Sequence, residues 1–205
     1  MKNRDSTLGR AVRNPYTANK NQRDHTLTAS SPATITDASR QLAAAIDALD
    51  YSRFRVLPDY IDANGHMNVG YYGVIFDTAS DLPCAALDIG FPMISRHKLT
   101  IFTIESHLTF QREILEGRPL NFTFQMLDFD AKRMHFLMTM RDADNAEISA
   151  TQEVMSMCID MATRRSTSWP PDAMEKLTLL SAVHSTRPRP PEAGRVIGIR
   201  RKAGS

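Results

Sequence analysis

The sequence is poor in the features that mark membrane proteins, disulfide-stabilised proteins and zinc proteins. Only two cysteines, Cys84 and Cys158, occur among 205 residues. Neither has a CxxC or CxH spacing, so no zinc site or disulfide framework is indicated. Two reduced thiols are typical of a cytoplasmic protein, although a single disulfide stays open. No apolar run approaches the roughly 20 residues of a membrane-spanning helix, and the N-terminus lacks the apolar core of a secretory signal.

Basic charge is scarce in the central part of the chain. Residues 1–36 carry six Lys/Arg against two Asp/Glu, and residues 187–205 carry six against one, so these segments hold +4 and +5. Residues 37–186 therefore carry −7 within a net charge of +2. A basic isoelectric point that belongs to the two ends does not indicate a nucleic-acid-binding domain. We expect no nucleic-acid partner and no membrane partner.

Composition divides the chain into four segments. Residues 1–36 are polar and show no periodicity, which predicts a disordered basic extension; an upstream extension or a weak transit-like segment is the alternative. Residues 37–50 predict a helical arm, since apolar residues recur at helical spacing after a threonine that can cap a helix. Residues 51–186 have the pattern of a folded domain. Residues 187–205 form a Pro- and Arg-rich tail, predicted to be extended.

A polar turn, DANGHMN (62–68), separates a predicted strand, FRVLP (54–58), from a predicted helix that begins near Val69. Apolar residues recur on most sides of that helix, so we expect it to be buried. Its two glycines, Gly70 and Gly73, cost helix stability and suggest close approach of a backbone or a ligand. We expect Pro83 to break or restart the helix.

Four later segments alternate apolar and polar residues, which predicts strands. In the first of them, Phe102, Ile104, Leu108 and Phe110 are expected on one face and Glu105 on the other. The four segments are TIFTIESHLTFQ (100–111), PLNFTFQML (119–127), KRMHFLMTM (132–140) and EISATQEVMSMCIDMAT (147–163). Short connections favour antiparallel pairing, and a helix is predicted from near Pro171.

One apolar helix against one half-apolar antiparallel sheet predicts a two-layer α+β fold. Such a sheet keeps long unpaired edges, so we expect at least a homodimer and allow a homotetramer.

The element order and the motif D-x-x-G-H-x-N resemble the hotdog-fold acyl-CoA thioesterases of the 4-hydroxybenzoyl-CoA thioesterase-like group. The resemblance covers about residues 51–165. The stretches VLPDYIDANGHMNVGYY and PRPPEAGRVIGI look closest to a branch related to betainyl-CoA thioesterases. Tyr60 stands where many relatives have a first acidic residue. The residues that carry the match are Asp62, Gly65, His66, Asn68, Tyr72, Phe76, Asp77 and the run FQREILEGRPL.

The resemblance implies a hotdog-fold hydrolase that releases a carboxylic acid and free CoA without a metal or redox cofactor. Asp62 would activate water or attack the thioester carbonyl, and either role is open. The N-terminus of the helix near Asn68 would bind the developing oxyanion. Gly65 would allow close approach of the substrate, and His66 would orient Asp62 or donate through its backbone N–H.

The pocket and the CoA site are expected from residues further along the chain. A quaternary ammonium on the acyl group would fit aromatic side chains beside a carboxylate. The expected pocket residues are Tyr71, Tyr72, Asp77, Phe102 and Glu105. The expected phosphate-binding residues are Arg112, Lys132, Arg133, Arg164 and Arg165. Two alternatives stay open, namely a hotdog module that binds acyl-CoA without catalysis and a hotdog dehydratase, whose usual Asp/His spacing is absent.

Overall fold

The computed structural model describes residues 34–199. Residues 1–33 of the predicted disordered extension lie outside the described residues. Residues 200–205, the end of the predicted tail, also lie outside them. No helix among the described residues is both long and apolar enough to cross a membrane.

The described chain contains four α-helices and one short 3-10 helix, Pro58–Tyr60. The α-helices are α1 (Asp37–Asp47), α2 (Val69–Ala86), α3 (Phe91–His97) and α4 (Pro171–His184). The predicted start of α4 is confirmed, and Leu177 and Leu180 on its inner face are fully buried. Thr36 caps α1 in a reciprocal capping box with Ser39. Ala43 and Ile46 of α1 belong to the core, so this helix packs on the domain.

The four strands form one antiparallel sheet in the order β1-β4-β3-β2. The strands are β1 (Leu99–Phe110), β2 (Leu120–Phe129), β3 (Arg133–Asp142) and β4 (Ile148–Asp160). Their core side chains meet the apolar face of α2, where Phe76 is fully buried. The predicted α+β class is confirmed. β1 lies at one edge of the sheet.

The expected break at Pro83 is wrong, because α2 continues through this residue to Ala86. A proline removes one helical hydrogen bond, but Pro83 lies within one turn of the end of α2 and is itself buried. Burial in the core compensates for the lost bond.

The predicted strand over FRVLP is also wrong, since only one bridge, Arg55 to Pro119, forms there. Backbone bonds do join Val56 to Arg118 and Gly117. The N–H of Leu120 also donates to the carbonyl of Phe54 at 2.9 Å, and Pro58, which lacks an N–H group, cannot continue the pairing.

A bulge in β1 changes the faces that alternation predicted. The register shifts between Thr103 and Glu105, leaving Ile104 without a directly paired residue on β4. Phe102 pairs with Met157 and Glu105 with Met155, so both lie on the face away from the core. The prediction that Phe102 shares a face with Leu108 and Phe110 is therefore wrong.

A buried histidine predicts how stability depends on pH. Nδ1 of His184 accepts a hydrogen bond from the backbone N–H of Met126 at 3.0 Å, and the ring is almost fully buried. Burial, followed by the charge of Arg187 and opposed by that of Asp47, lowers the pKa of His184 from 6.5 to about 4. The unfolded chain therefore takes up the proton first as the pH falls.

We expect this stabilisation to be complete above about pH 6.5 and to be lost progressively towards pH 4, by about 3 kcal/mol at most. The free energy of unfolding in urea, measured between pH 7 and pH 4.5, should fall less steeply for His184→Gln than for the wild type. His107→Gln removes a partly exposed histidine of β1 and should retain the wild-type slope. Equal slopes for wild type and His184→Gln would contradict the prediction.

Candidate active site

A cleft of about 330 Å³ lies where β1 ends and α2 begins. The loop before α2 forms one wall, and the first residues after β1 form the other. The lining residues are Asp62, His66, Met67, Val69, Tyr72, Phe110, Gln111, Arg112 and Glu113. Asp62, His66 and Tyr72 were predicted as site residues, and the fold brings all three to this cleft.

The polar turn is a tight loop closed by backbone hydrogen bonds. Ile61 and Met67 pair across it, and the N–H of Asp62 donates to the carbonyl of His66 at 3.1 Å. Gly65 has a φ of +83°, which strongly favours glycine. The conformation of this loop places Asp62 at the cleft, and Gly65 itself does not line it.

The two carboxylate oxygens of Asp62 have different surroundings. Its Oδ1 accepts the N–H of Asn64 at 2.8 Å, which is an Asx turn. Among residues 34–199, its other carboxylate oxygen has no hydrogen-bond donor. The half-buried carboxylate thus keeps one oxygen free at the cleft.

The N-terminus of α2 also reaches this cleft. Oδ1 of Asn68 accepts the N–H of Gly70 at 2.9 Å and caps the helix. In the described part of the chain, the N–H of Val69 has no acceptor. Val69, at the positive end of the helix dipole, therefore lines the same cleft as Asp62.

The rings of Tyr72, Phe110 and His66 also line the cleft. Tyr72 is buried, packs edge-to-face on Phe110 with ring centroids 5.0 Å apart, and burial raises its pKa. Nδ1 of His66 lies 3.3 Å from the carbonyl oxygen of Met67. When Nδ1 carries the proton and donates to that carbonyl, Nε2 is free to accept.

The cleft contains two polar side chains that were not predicted as site residues, Gln111 and Glu113. Glu113 is a second carboxylate of the site, and its charge also contributes to the raised pKa of Tyr72. Both lie in the run FQREI, which carries the family resemblance. The resemblance marked this run as a segment of interest. Its position beside the loop before α2 depends on long-range strand pairing, which the sequence does not reveal.

The other predicted pocket residues lie elsewhere. Tyr71 stacks on Tyr60 with ring centroids 4.5 Å apart, outside the cleft lining. Glu105 lines a cavity on the outer face of the sheet. Phe102 has the guanidinium of Arg164 4.9 Å from its ring centroid. The fold of one chain does not gather these residues around Asp62.

Asp77 lines a second cleft of about 490 Å³ between α2, α3 and the start of β1. Asp81 follows one helical turn later and lines the same cleft, as do the exposed Phe91 and the segment Thr100–Thr103. Burial, with the charge of Asp77 as the second cause, raises the pKa of Asp81. The second cleft therefore presents two carboxylates beside an aromatic ring.

The predicted phosphate-binding residues are dispersed. Arg112 lines the first cleft and lies 3.4 Å from Glu147 in an exposed ion pair. Arg133 is held by Asp130, and Lys132 lies in the turn before β3. Arg164 lies beside Phe102, in the turn after β4 that also contains Arg165. Of this set, the described structure brings only Arg112 to Asp62.

Comparison with known proteins agrees with this fold. The family model described as the Thioesterase-like superfamily matches residues 56–177, more than half of the chain. A betainyl-CoA thioesterase from Pseudomonas aeruginosa is 28% identical over 144 residues, covering 70% of this chain and 91% of that protein.

Two solved structures superpose on the same region. A Staphylococcus aureus protein solved in complex with CoA has a TM-score of 0.63 and 29% identity, covering 72% of this chain and 92% of its own. A candidate thioesterase from Pseudomonas putida KT2440 has a TM-score of 0.63 and 26% identity, covering 75% and 98%. The chain belongs to the Thioesterase-like superfamily and is a hotdog-fold thioester hydrolase.

Proposed function

We propose that the chain hydrolyses an acyl-CoA thioester in the cleft between the loop before α2 and the end of β1. The observation that carries this proposal is that Asp62 and Val69, the first residue of α2, line one cleft. Hydrolysis needs a group that supplies or activates the nucleophile and a donor for the carbonyl oxygen as it gains charge. These two groups meet both needs.

The reaction proceeds by addition to the thioester carbonyl and loss of the CoA thiolate. Asp62 either takes a proton from the attacking water or attacks the carbonyl itself, and water then cleaves the resulting anhydride. In both cases the N–H of Val69 and the dipole of α2 stabilise the oxyanion. A single turnover in H2¹⁸O identifies attack by Asp62 when water cleaves the anhydride at the Asp62 carbonyl carbon, because ¹⁸O then enters Asp62 and not the acid. Cleavage at the acyl carbon labels the acid as direct water attack does.

We also propose that the active form is a dimer built on β1. This strand has 12 residues and a partner on one side only in the described sheet. Ile104 near its centre is 50% exposed, and Phe110 at its end is 48% exposed. Antiparallel pairing of two β1 strands removes the free edge and covers these side chains.

A two-fold pairing of β1 joins the two clefts. The first cleft lies at the C-terminal end of β1 and the N-terminal end of α2. The second cleft lies at the N-terminal end of β1 and the C-terminal half of α2. Antiparallel strands place these ends opposite each other. The first cleft of each subunit therefore faces the second cleft of the other, and Asp62 of one subunit faces Asp77 and Asp81 of the other.

The pairing of the first cleft with the second cleft of the other subunit supports an acyl group that carries a positive charge. The relative from Pseudomonas aeruginosa is named for betainyl-CoA, whose acyl group ends in a trimethylammonium. Two carboxylates and the Phe91 ring in the second cleft suit a permanent cation through charge attraction and cation–π contact. Arg112 at the first cleft would contact a CoA phosphate. Lys132, Arg133 and Arg164 stay proposals for the same role in the assembled dimer.

A neutral isostere tests the assigned acyl group. We expect the wild type to favour betainyl-CoA over 3,3-dimethylbutanoyl-CoA, in which carbon replaces the nitrogen, by roughly hundredfold in kcat/KM, since only the cation gains from two carboxylates. The double variant Asp77→Asn/Asp81→Asn should lose most of this preference and still cleave the neutral substrate. Glu116→Gln removes an exposed carboxylate outside both clefts and should retain the preference. An unchanged ratio in the double variant would refute the cation site.

The hydrolytic function is tested with purified full-length protein on aromatic, short aliphatic and betainyl CoA thioesters. Release of free thiol with multiple turnovers supports the proposal. Tight binding of every substrate without thiol release would instead identify an acyl-CoA-binding module.

We further propose a cytoplasmic location, supported by Cys84 and Cys158, which the structure holds as free buried thiols.

A further inference from the structure

The C-terminal segment crosses the outer face of the sheet from one edge to the other. The side-chain amide of Gln125 on β2 donates to the carbonyl of Pro188 at 3.2 Å. The carboxylate of Glu153 on β4 accepts the N–H of Gly194 at 2.7 Å. Residues 194–197 then line a cavity of about 530 Å³ together with Glu105 and His107 of β1. The path thus runs from β2 to the free edge at β1.

Burial of one strand residue supports this path. Gln125, Leu137 and Glu153 are opposite each other on β2, β3 and β4, so they form one row on the same face of the sheet. Leu137 is 2% exposed although it does not belong to the main core cluster. The segment held by Gln125 and Glu153 on either side covers it.

The hydrogen bond between Glu153 on β4 and Gly194 is supported by a second partner of the same carboxylate. Glu153 also receives a hydrogen bond from His135, with Nε2 and Oε1 2.7 Å apart, and both side chains are largely buried. One carboxylate oxygen thus faces His135 and the other faces the N–H of Gly194. At the start of the segment, Arg187 binds both carboxylate oxygens of Asp47 in α1, at 3.0 and 2.6 Å.

The end of this segment is apolar and uncovered. Val196, Ile197 and Ile199 are 86%, 87% and 88% exposed, the highest values among the large exposed apolar residues of the described chain. We define residues 195–199 as the clasp. Three such side chains at the edge of a sheet are a surface that favours contact with another apolar surface.

We propose that the clasp of each subunit packs on the clasp of a second copy of this chain, across the paired β1 strands. The proposal rests on the edge-to-edge dimer proposed above. A two-fold pairing that uses the whole of β1 has its axis beside Ile104 and Glu105. Since the clasp reaches the sheet beside Glu105, the two clasps approach that axis from opposite sides and cover each other.

Charges near the proposed two-fold axis are compatible with this packing. The clasp carries a single charge, that of Arg195, whereas residues 37–186 carry −7. Arg195 shares the cavity with Glu105, and the two-fold axis brings a second Glu105 close to the first. A basic clasp therefore offsets the repulsion between the two carboxylates.

The first test measures the dimer. We expect Ile197→Ser/Ile199→Ser in the full-length protein to raise the dimer dissociation constant at least tenfold in analytical ultracentrifugation, with an unchanged circular dichroism spectrum. Leu57→Ser/Leu115→Ser replaces two exposed apolar residues outside the clasp and should retain the wild-type constant. A wild-type dissociation constant for the clasp variant would overturn the proposal.

A cross-linking test does not depend on the effect of those serines. Because Cys84 and Cys158 are buried, Ile197→Cys supplies an accessible thiol to a short bis-maleimide. The clasp model predicts a covalent dimer from Ile197→Cys and none from Leu57→Cys. A dimer in ultracentrifugation that fails to cross-link through Ile197→Cys would refute the clasp and leave the edge-to-edge dimer standing. A monomeric wild type would refute both.

Discussion

The variant Asp62→Asn is expected to lose about 10²- to 10⁴-fold in kcat on the best acyl-CoA substrate, the usual range for removing a positioned base. Asparagine keeps an Oδ1 that can accept the N–H of Asn64, so the Asx turn and the loop should persist. The substitution removes the negative charge of the side chain and keeps its size and shape. Release of free CoA thiol, followed with a chromogenic thiol reagent, measures the loss.

Binding must be measured beside turnover. Calorimetric titration should give Asp62→Asn a dissociation constant for CoA within about threefold of the wild-type value, because Asp62 faces the thioester and not the phosphates. Asp59→Asn is the matched control, since Asp59 is exposed in the 3-10 helix and does not line the cleft. If Asp62→Asn retained more than about a tenth of wild-type kcat, Asp62 would lose its assigned role.

Local chemistry made the polar turn before α2 predictable. The Asx turn of Asp62, the positive φ of Gly65 and the helix cap of Asn68 each depend on residues within two or three positions. Such features can be read from a short stretch of sequence. The alternation that predicted four antiparallel strands is equally local, and all four are present.

The features that could not be predicted depend on contacts distant in sequence. The bulge at Ile104 places Phe102 on the outer face with Glu105, and alternation alone cannot reveal one extra residue. The helix α3, which brings Phe91 to the second cleft, has only seven residues and little periodicity. The expected break at Pro83 also separated Asp81 from a continuous helix with Asp77, whereas α2 carries both residues.

The outer face of the sheet shows the same limit. Glu105 was predicted as a pocket residue of the active site, yet it lines a cavity on the outer face together with His107 and the C-terminal segment. The predicted extended tail is long enough to cross the sheet, but its anchors, Gln125 and Glu153, look like ordinary solvent-facing residues in the sequence. Only their hydrogen bonds to Pro188 and Gly194 distinguish them.

Subunit mixing gives the second large effect, because the proposed site takes Asp62 from one subunit and Asp77 and Asp81 from the other. Asp62→Asn should be nearly inactive, and Asp77→Asn/Asp81→Asn should lose about hundredfold on betainyl-CoA. Their mixed dimer contains one site with all three native carboxylates and one site with none. Random assortment makes half of all dimers mixed, so equal amounts should recover about a quarter of wild-type activity.

The measurement uses the two variants with different affinity tags, unfolded together in urea, refolded and assayed on betainyl-CoA. Purification through both tags in turn isolates the mixed dimer, which should show about half of wild-type activity per dimer, since one of its two sites is intact. Refolding each variant alone is the control for partial recovery of either one. If the site lay within a single subunit, no mixed dimer would contain an intact site. Activity would then stay at the mean of the two parents, and the alignment of the first cleft with the second would have to be abandoned while Asp62 kept its role.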